Sequence, residues 1–186
     1  MGEMMNKFQM VLVTAACMSL LSGCQTMSAS ECQVADWSKL GQQDGNAGRQ
    51  DMLAQRIESC QKNAVAVSPT APMLYRSGYA EGLSYYCQPR RILNEALAGR
   101  AHVDVCPLAA QGSLRVYADA GARVYQAQQR VDQLRQERDR LNRELQDKKT
   151  TDTRAREIAN RQYQLSHELD NAFYDLRQAQ GVVDRL

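Results

Sequence analysis

The sequence has little of what catalysis or nucleic-acid binding commonly needs. It holds two histidines, His102 and His167, in 186 residues, too far apart for an HExxH zinc motif. A G-x-S-x-G elbow and a phosphate-binding glycine loop are also missing. With one Trp, two Phe and eight Tyr, a large aromatic core is excluded. The 23 Lys and Arg are matched by 21 acidic residues, and the two signs alternate wherever charge is dense, so no nucleic-acid partner is expected. No apolar run reaches the roughly 20 residues that span a bilayer. Neither an enzyme nor a cofactor or metal site is therefore expected. One acid pair, Asp44 and Glu81, could cut a glycosidic bond only by facing a common cleft; charged helix surface is the simpler reading.

What is present begins with a targeting signal. Lys7 precedes an apolar stretch, Phe8 to Leu21, of signal-peptide length. Glu3 is out of place in such a leader and leaves Met4 and Met5 as alternative starts. The stretch ends in Leu21-Ser22-Gly23-Cys24, which resembles the bacterial lipobox. That resemblance implies cleavage before Cys24, acylation of the new N-terminal cysteine and anchoring without a membrane span. Cys17 is the poorer cut, since only Phe8 to Val13 would precede it as apolar core. Residues 1–23 are then the signal peptide and residues 24–31 a lipidated tether of small polar residues. Gln25 is not the aspartate that, by resemblance to enterobacterial lipoproteins, goes with inner-membrane retention. The expected location is the periplasmic face of the outer membrane.

Four cysteines remain, Cys32, Cys60, Cys87 and Cys106. In an oxidising compartment they read as two disulfides with three connectivities. Zinc is the rival, but no pair is close enough in sequence for C-x-x-C ligation. Helices are expected over Asp36 to Arg49, Asp51 to Lys62 and Pro72 to Cys87, with a later helix after Cys106-Pro107. A hairpin of the first two would bring Cys32 to Cys60, and the next connection would bring Cys87 to Cys106.

A faint repeat runs through this head: Trp37, Gly41, Asp44, Gly45; then Tyr75, Gly78, Glu81, Gly82; then a degenerate Tyr117, Asp119, Gly121. Glycine inside a helix costs about 1 kcal/mol relative to alanine, so its recurrence needs a reason. One reason is close helix packing, with Gly41, Gly45 and Gly48 on one side. The other is a gap for a ligand, a sugar for example, beside Tyr75, Tyr79, Tyr85 and Tyr86.

The stretches "CQVADWSKLGQQDGNAGR", "YRSGYAEGLSYYC" and "GRAHVDVCP" resemble a lipoprotein family of Gram-negative bacteria known only as domain of unknown function twenty-seven ninety-nine. The likeness runs from about Cys32 to Tyr125. Its motif falls on Cys32, Asp36, Trp37, Gly41, Asp44, Gly45, Cys60, Tyr75, Gly78, Gly82, Leu83, Tyr86, Cys87, Cys106 and Pro107. The resemblance implies an envelope lipoprotein with paired cysteines and brings no activity.

From about Leu114 the composition turns to Gln, Arg, Glu, Asp and Leu. Val131, Leu134, Arg138, Leu141 and Leu145 alternate in steps of three and four, the seam of a coiled coil interrupted by Arg138. Ile158, Gln162, Leu165, Leu169, Ala172, Leu176, Ala179 and Val183 continue it. Between them "DKKTTDT" has no apolar residue and favours a turn near 148–153. An antiparallel hairpin is expected, with Leu134, Leu141 and Leu145 buried against Leu169, Leu165 and Ile158; a single long helix is the alternative. The fold class is all-α: a disulfide-clamped head over 32–113 and a coiled-coil arm over 114–186. The expected role is that of a non-catalytic envelope adaptor, joined to a protein partner or a second copy through residues 131–183. The alternative is a head that binds a small ligand or peptidoglycan.

Overall fold

A computed structural model describes residues 27–186. Both the signal segment and the lipidation point Cys24 lie outside the described residues. Among the described residues the chain is all-helical: α1 (Ala29–Gln33), α2 (Trp37–Asn46), α3 (Leu53–Lys62), α4 (Ala71–Tyr86), α5 (Pro89–Leu97), a 3-10 turn (Val103–Val105), α6 (Leu108–Gln146) and α7 (Asp152–Val183).

Short polar side chains start these helices. Ser28 and Glu31 form a reciprocal capping box on α1, Asp36 accepts the Lys39 N–H at the start of α2, and Asp51 accepts that of Leu53. Pro72 and Pro89 sit in first turns, where their missing N–H costs nothing. Gly48 and Gly99, with φ of +62° and +72°, end α2 and α5 in a conformation that favours glycine.

The head is organised by α2 and α4, and the glycine repeat is the reason. A Cβ on Gly41 would lie 2.0 Å from the Tyr75 carbonyl oxygen, and one on Gly45 would lie 2.4 Å from that of Tyr79. Reciprocally, Gly78 faces the Ser38 carbonyl at 1.9 Å and Gly82 that of Gln42 at 2.4 Å. Positions rise together on both helices, so α2 and α4 run parallel with their backbones touching. The main partner of α2 is thus α4 rather than α3, which serves as the return between them. The third, degenerate repeat does the same elsewhere: a Cβ on Gly121 of α6 would stand 2.6 Å from the Ala96 Cβ of α5.

The disulfides are Cys32–Cys60 and Cys87–Cys106, the expected pairing. Loops of these lengths stabilise by about 3 kcal/mol each in the chain-entropy picture. The first bond lies in a core with Trp37, Leu53, Ala71 and Tyr75. A second core gathers Tyr86, Ile92, Cys106 and Leu114.

Two boundaries shift. The tether expected over 24–31 is already structured from Met27, which is buried in the first core, and Ser28 caps α1. The head does not stop at 113: Leu114, Ala120 and Gly121 are buried, and α6 leaves the head only beyond them.

From there α6 and α7 form the antiparallel hairpin. The turn is residues 147–151, slightly earlier than expected, because Thr151 caps α7 by accepting the Arg154 N–H. Val131, Leu134, Leu141, Ile158, Leu165, Leu169, Ala172 and Leu176 make its core. Leu145 does not join it and is 43% exposed; α7 opens opposite with Thr151, Asp152, Thr153 and Arg154, which offer no apolar surface. Register is marked by Arg130–Glu168 at 2.9 Å, Arg161–Glu137 at 2.8 Å and Arg154–Glu144 at 2.7 Å.

Two glycine substitutions separate packing from propensity. Gly78→Ala forces a Cβ into the backbone of α2 and is expected to cost about 3 kcal/mol or more. Gly112→Ala, where nothing lies within 4 Å, is expected to stabilise by about 1 kcal/mol. Thermal unfolding of both variants checks the pair.

Candidate functional site

The most organised polar cluster lies under the α2–α4 contact. Asp44, on α2, has no solvent exposure. Arg56 of α3 reaches it with two bonds, Nε to Oδ2 and Nη2 to Oδ1, both 2.8 Å. The Tyr75 hydroxyl of α4 donates to Oδ2 at 2.7 Å, and Arg49 Nη1 donates to Oδ1 at 3.1 Å. The same Tyr75 oxygen accepts the Met52 N–H at 3.1 Å. Burial alone would raise the Asp44 carboxyl; the bonds from Arg56, Tyr75 and Arg49 outweigh it and hold the group below its ordinary range. Burial, followed by donation to Asp44, pushes the Tyr75 hydroxyl well above its usual value.

This cluster joins three helices and has no spare valence for a substrate. Each Asp44 oxygen has two donors, and among the described residues no buried side-chain polar atom lacks a partner. Glu81 lies apart: it is exposed and accepts from Gln42 Nε2 at 3.0 Å. Asp44 and Glu81 therefore do not face one cleft, because the α2–α4 contact buries the first and leaves the second on the surface.

The other singled-out residues divide between core and surface. Trp37, Tyr75 and Tyr86 are buried, so none presents a ring face to solvent. Tyr86 accepts the His102 N–H at 2.8 Å and covers Gly48. Tyr79, half-buried, donates to the Arg49 carbonyl at 2.6 Å. The gaps left by the head's paired glycines are filled by helix backbone. Tyr85 alone of the four head tyrosines is largely open, at 56% exposure, beside a hollow of about 410 Å³ lined also by Tyr86, Asn46, Gln88 and Arg91. No group of three or more potential metal ligands occurs among the described residues, and no described helix is long and apolar enough to cross a membrane.

Arg56 and Arg49 were not singled out in the sequence. A signal for Arg56 existed: it shares a helical face with Leu53, Ser59 and Cys60, and an arginine on the buried face of a short helix calls for a buried carboxylate. His167, on the arm, stacks edge-on against Tyr163 at 4.8 Å.

Fold and site together define a disulfide-clamped helical head whose last helix runs on into a two-helix arm. Residues 36–123 match the model of a family described as protein of unknown function (DUF2799). The match ends where α6 leaves the head. No curated protein and no solved structure matches the chain.

Asp44→Ala would leave Arg56 buried without its counter-charge and is expected to cost about 3 kcal/mol at neutral pH. The native Asp44 is depressed in the folded state. Its contribution is therefore complete above the unfolded carboxyl value, near 3.9, and is lost as pH falls through the lower folded value. Chemical denaturation from pH 7 down to pH 2 is expected to show the gap between native and variant closing only at the acid end.

Proposed function

We propose that this protein is a non-catalytic outer-membrane lipoprotein, anchored at Cys24 on the periplasmic face, whose arm docks another envelope protein. One observation carries the reading: the arm leaves the head as an uninterrupted continuation of α6 and presents a solvent-facing strip outside the arm's buried core. On α7, Tyr163 and Tyr174 are 69% and 56% exposed. They stand eleven positions apart, about three turns, and so share one face with His167. Exposed tyrosines on a rigid helix give large contact area at low entropic cost. Two disulfides inside a small head support an oxidising compartment. In this reading the head is a scaffold, its one carboxylate cluster being committed to structure.

A second reading, a peptidoglycan- or small-ligand-binding head, is favoured only by the hollow at Tyr85. Tyr75 is buried away from that hollow, and Tyr86 borders it but is 1% exposed and offers no open ring face.

Cys24→Ser is expected to abolish acylation and release the protein from the membrane fraction, read by mass spectrometry and fractionation. A photo-reactive residue at position 163 or 174 in intact cells is expected to give one discrete protein adduct, lost on truncation of the arm. Adducts to glycan from position 85, with none from the arm, would transfer the function to the head.

A further inference from the structure

We propose that the α1 face of the head, with Val34 at its rim, sits directly on the lipid leaflet that holds the anchor, so that the head has one fixed orientation on the membrane. This rests on the lipoprotein reading above.

The argument starts at Met27. Its side chain is 3% exposed. Its N–H donates to Ser59 Oγ at 3.2 Å, and its carbonyl accepts from Ser59 Oγ at 2.8 Å and Asn63 Nδ2 at 3.1 Å. The chain is therefore fastened to α3 only three residues after Cys24. Three residues reach at most about 10 Å when fully extended. The headgroup layer that an acylated cysteine must cross is itself about 5–7 Å deep on each side of a bilayer. Little slack remains, and the face around Met27 must meet the headgroups.

That face is suited to the contact. Met27, Val34, Ala35 and Leu40 are the apolar lining of an open hollow of about 310 Å³, whose charged members are of both signs, Lys39 and Arg56 with Glu31 and Asp36. Val34 is 82% exposed, and Lys39 makes no ion pair among the described residues. One exposed valine is ordinary protein surface. Here it stands on the hollow that also includes Met27, three residues after Cys24, where an apolar side chain can enter the interface while a lysine meets lipid phosphate. The capping box of Ser28 and Glu31 fixes the geometry by holding α1 in place immediately after Met27.

The test uses the full acylated protein in vesicles of phosphatidylethanolamine and phosphatidylglycerol, with benzoylphenylalanine at position 34, 39 or, as control, 148 in the arm's turn. Phospholipid adducts at 34 and 39 are expected to exceed those at 148 by at least tenfold. Equal yields at 34 and 148, with Cys24 shown by peptide mass to be acylated, would overturn the fixed seat and leave the lipoprotein reading standing. An unacylated Cys24 would overturn both.

Discussion

The closeness of α2 to α4 is the constraint on which the head depends. Four glycines, two on each helix, allow backbone to touch backbone where any side chain would intrude. Because the two helices run parallel, the chain must return between them, and α3 is that return. The return brings Cys60 to Cys32 and Arg56 to Asp44, and it supplies Ser59 and Asn63 to hold Met27. The bond from Tyr75 to Asp44 crosses the same contact. Disulfide, buried charge and docked N-terminal segment are thus consequences of one helix pairing.

The buried cluster and the arm's ion pairs act differently. A buried carboxylate among arginines is costly to desolvate, and such pairs are weak evidence of net stability. What Asp44 provides is selectivity: two fixed bonds to Arg56 and one to Tyr75 admit a single arrangement of three helices that apolar contacts alone would let slide. The arm's pairs are exposed or, at Arg161, only part-buried, and individually worth little. Together with the Gln162–Asn142 bond, they mark which residues of α6 and α7 stand opposite one another, while Leu, Ile and Val supply the burial.

Much of this was legible in the sequence, and the gaps have physical causes. The cysteine pairing followed from which helix ends a short connection brings together. Glycine's cost in helices pointed to close packing, and "DKKTTDT" marked the turn. The partner of α2 was not legible, because α3 follows it in the chain, whereas the glycine register matches α4, where Gly78 and Gly82 stand 37 positions after Gly41 and Gly45. A local pattern cannot distinguish those two neighbours. Leu145 kept the heptad spacing, but spacing does not reveal that the opposite helix starts with polar residues. Asp44 and Glu81 hold equivalent repeat positions yet differ in burial, since only the first faces α3 and its arginine. The tether was read from small polar residues, and Met27 overrode that composition by docking.

The length of α6 ties head and arm into one body. Its 39 residues extend about 58 Å, and no glycine or proline interrupts them after Gly121, which is itself pressed against α5. A helix without a break has no built-in hinge. The Cys87–Cys106 bond and the packing of Leu114 against Tyr86 and Ile92 hold its first turns to the head. Under the proposed reading, where the head is set by a short anchor, the direction of the arm is set with it, and Tyr163 and Tyr174 face a defined region of the envelope. Position, rather than chemistry, would then be what this fold contributes. That division fits the sequence, in which the family match runs from the residue before α2 to residue 123 and stops where the arm begins.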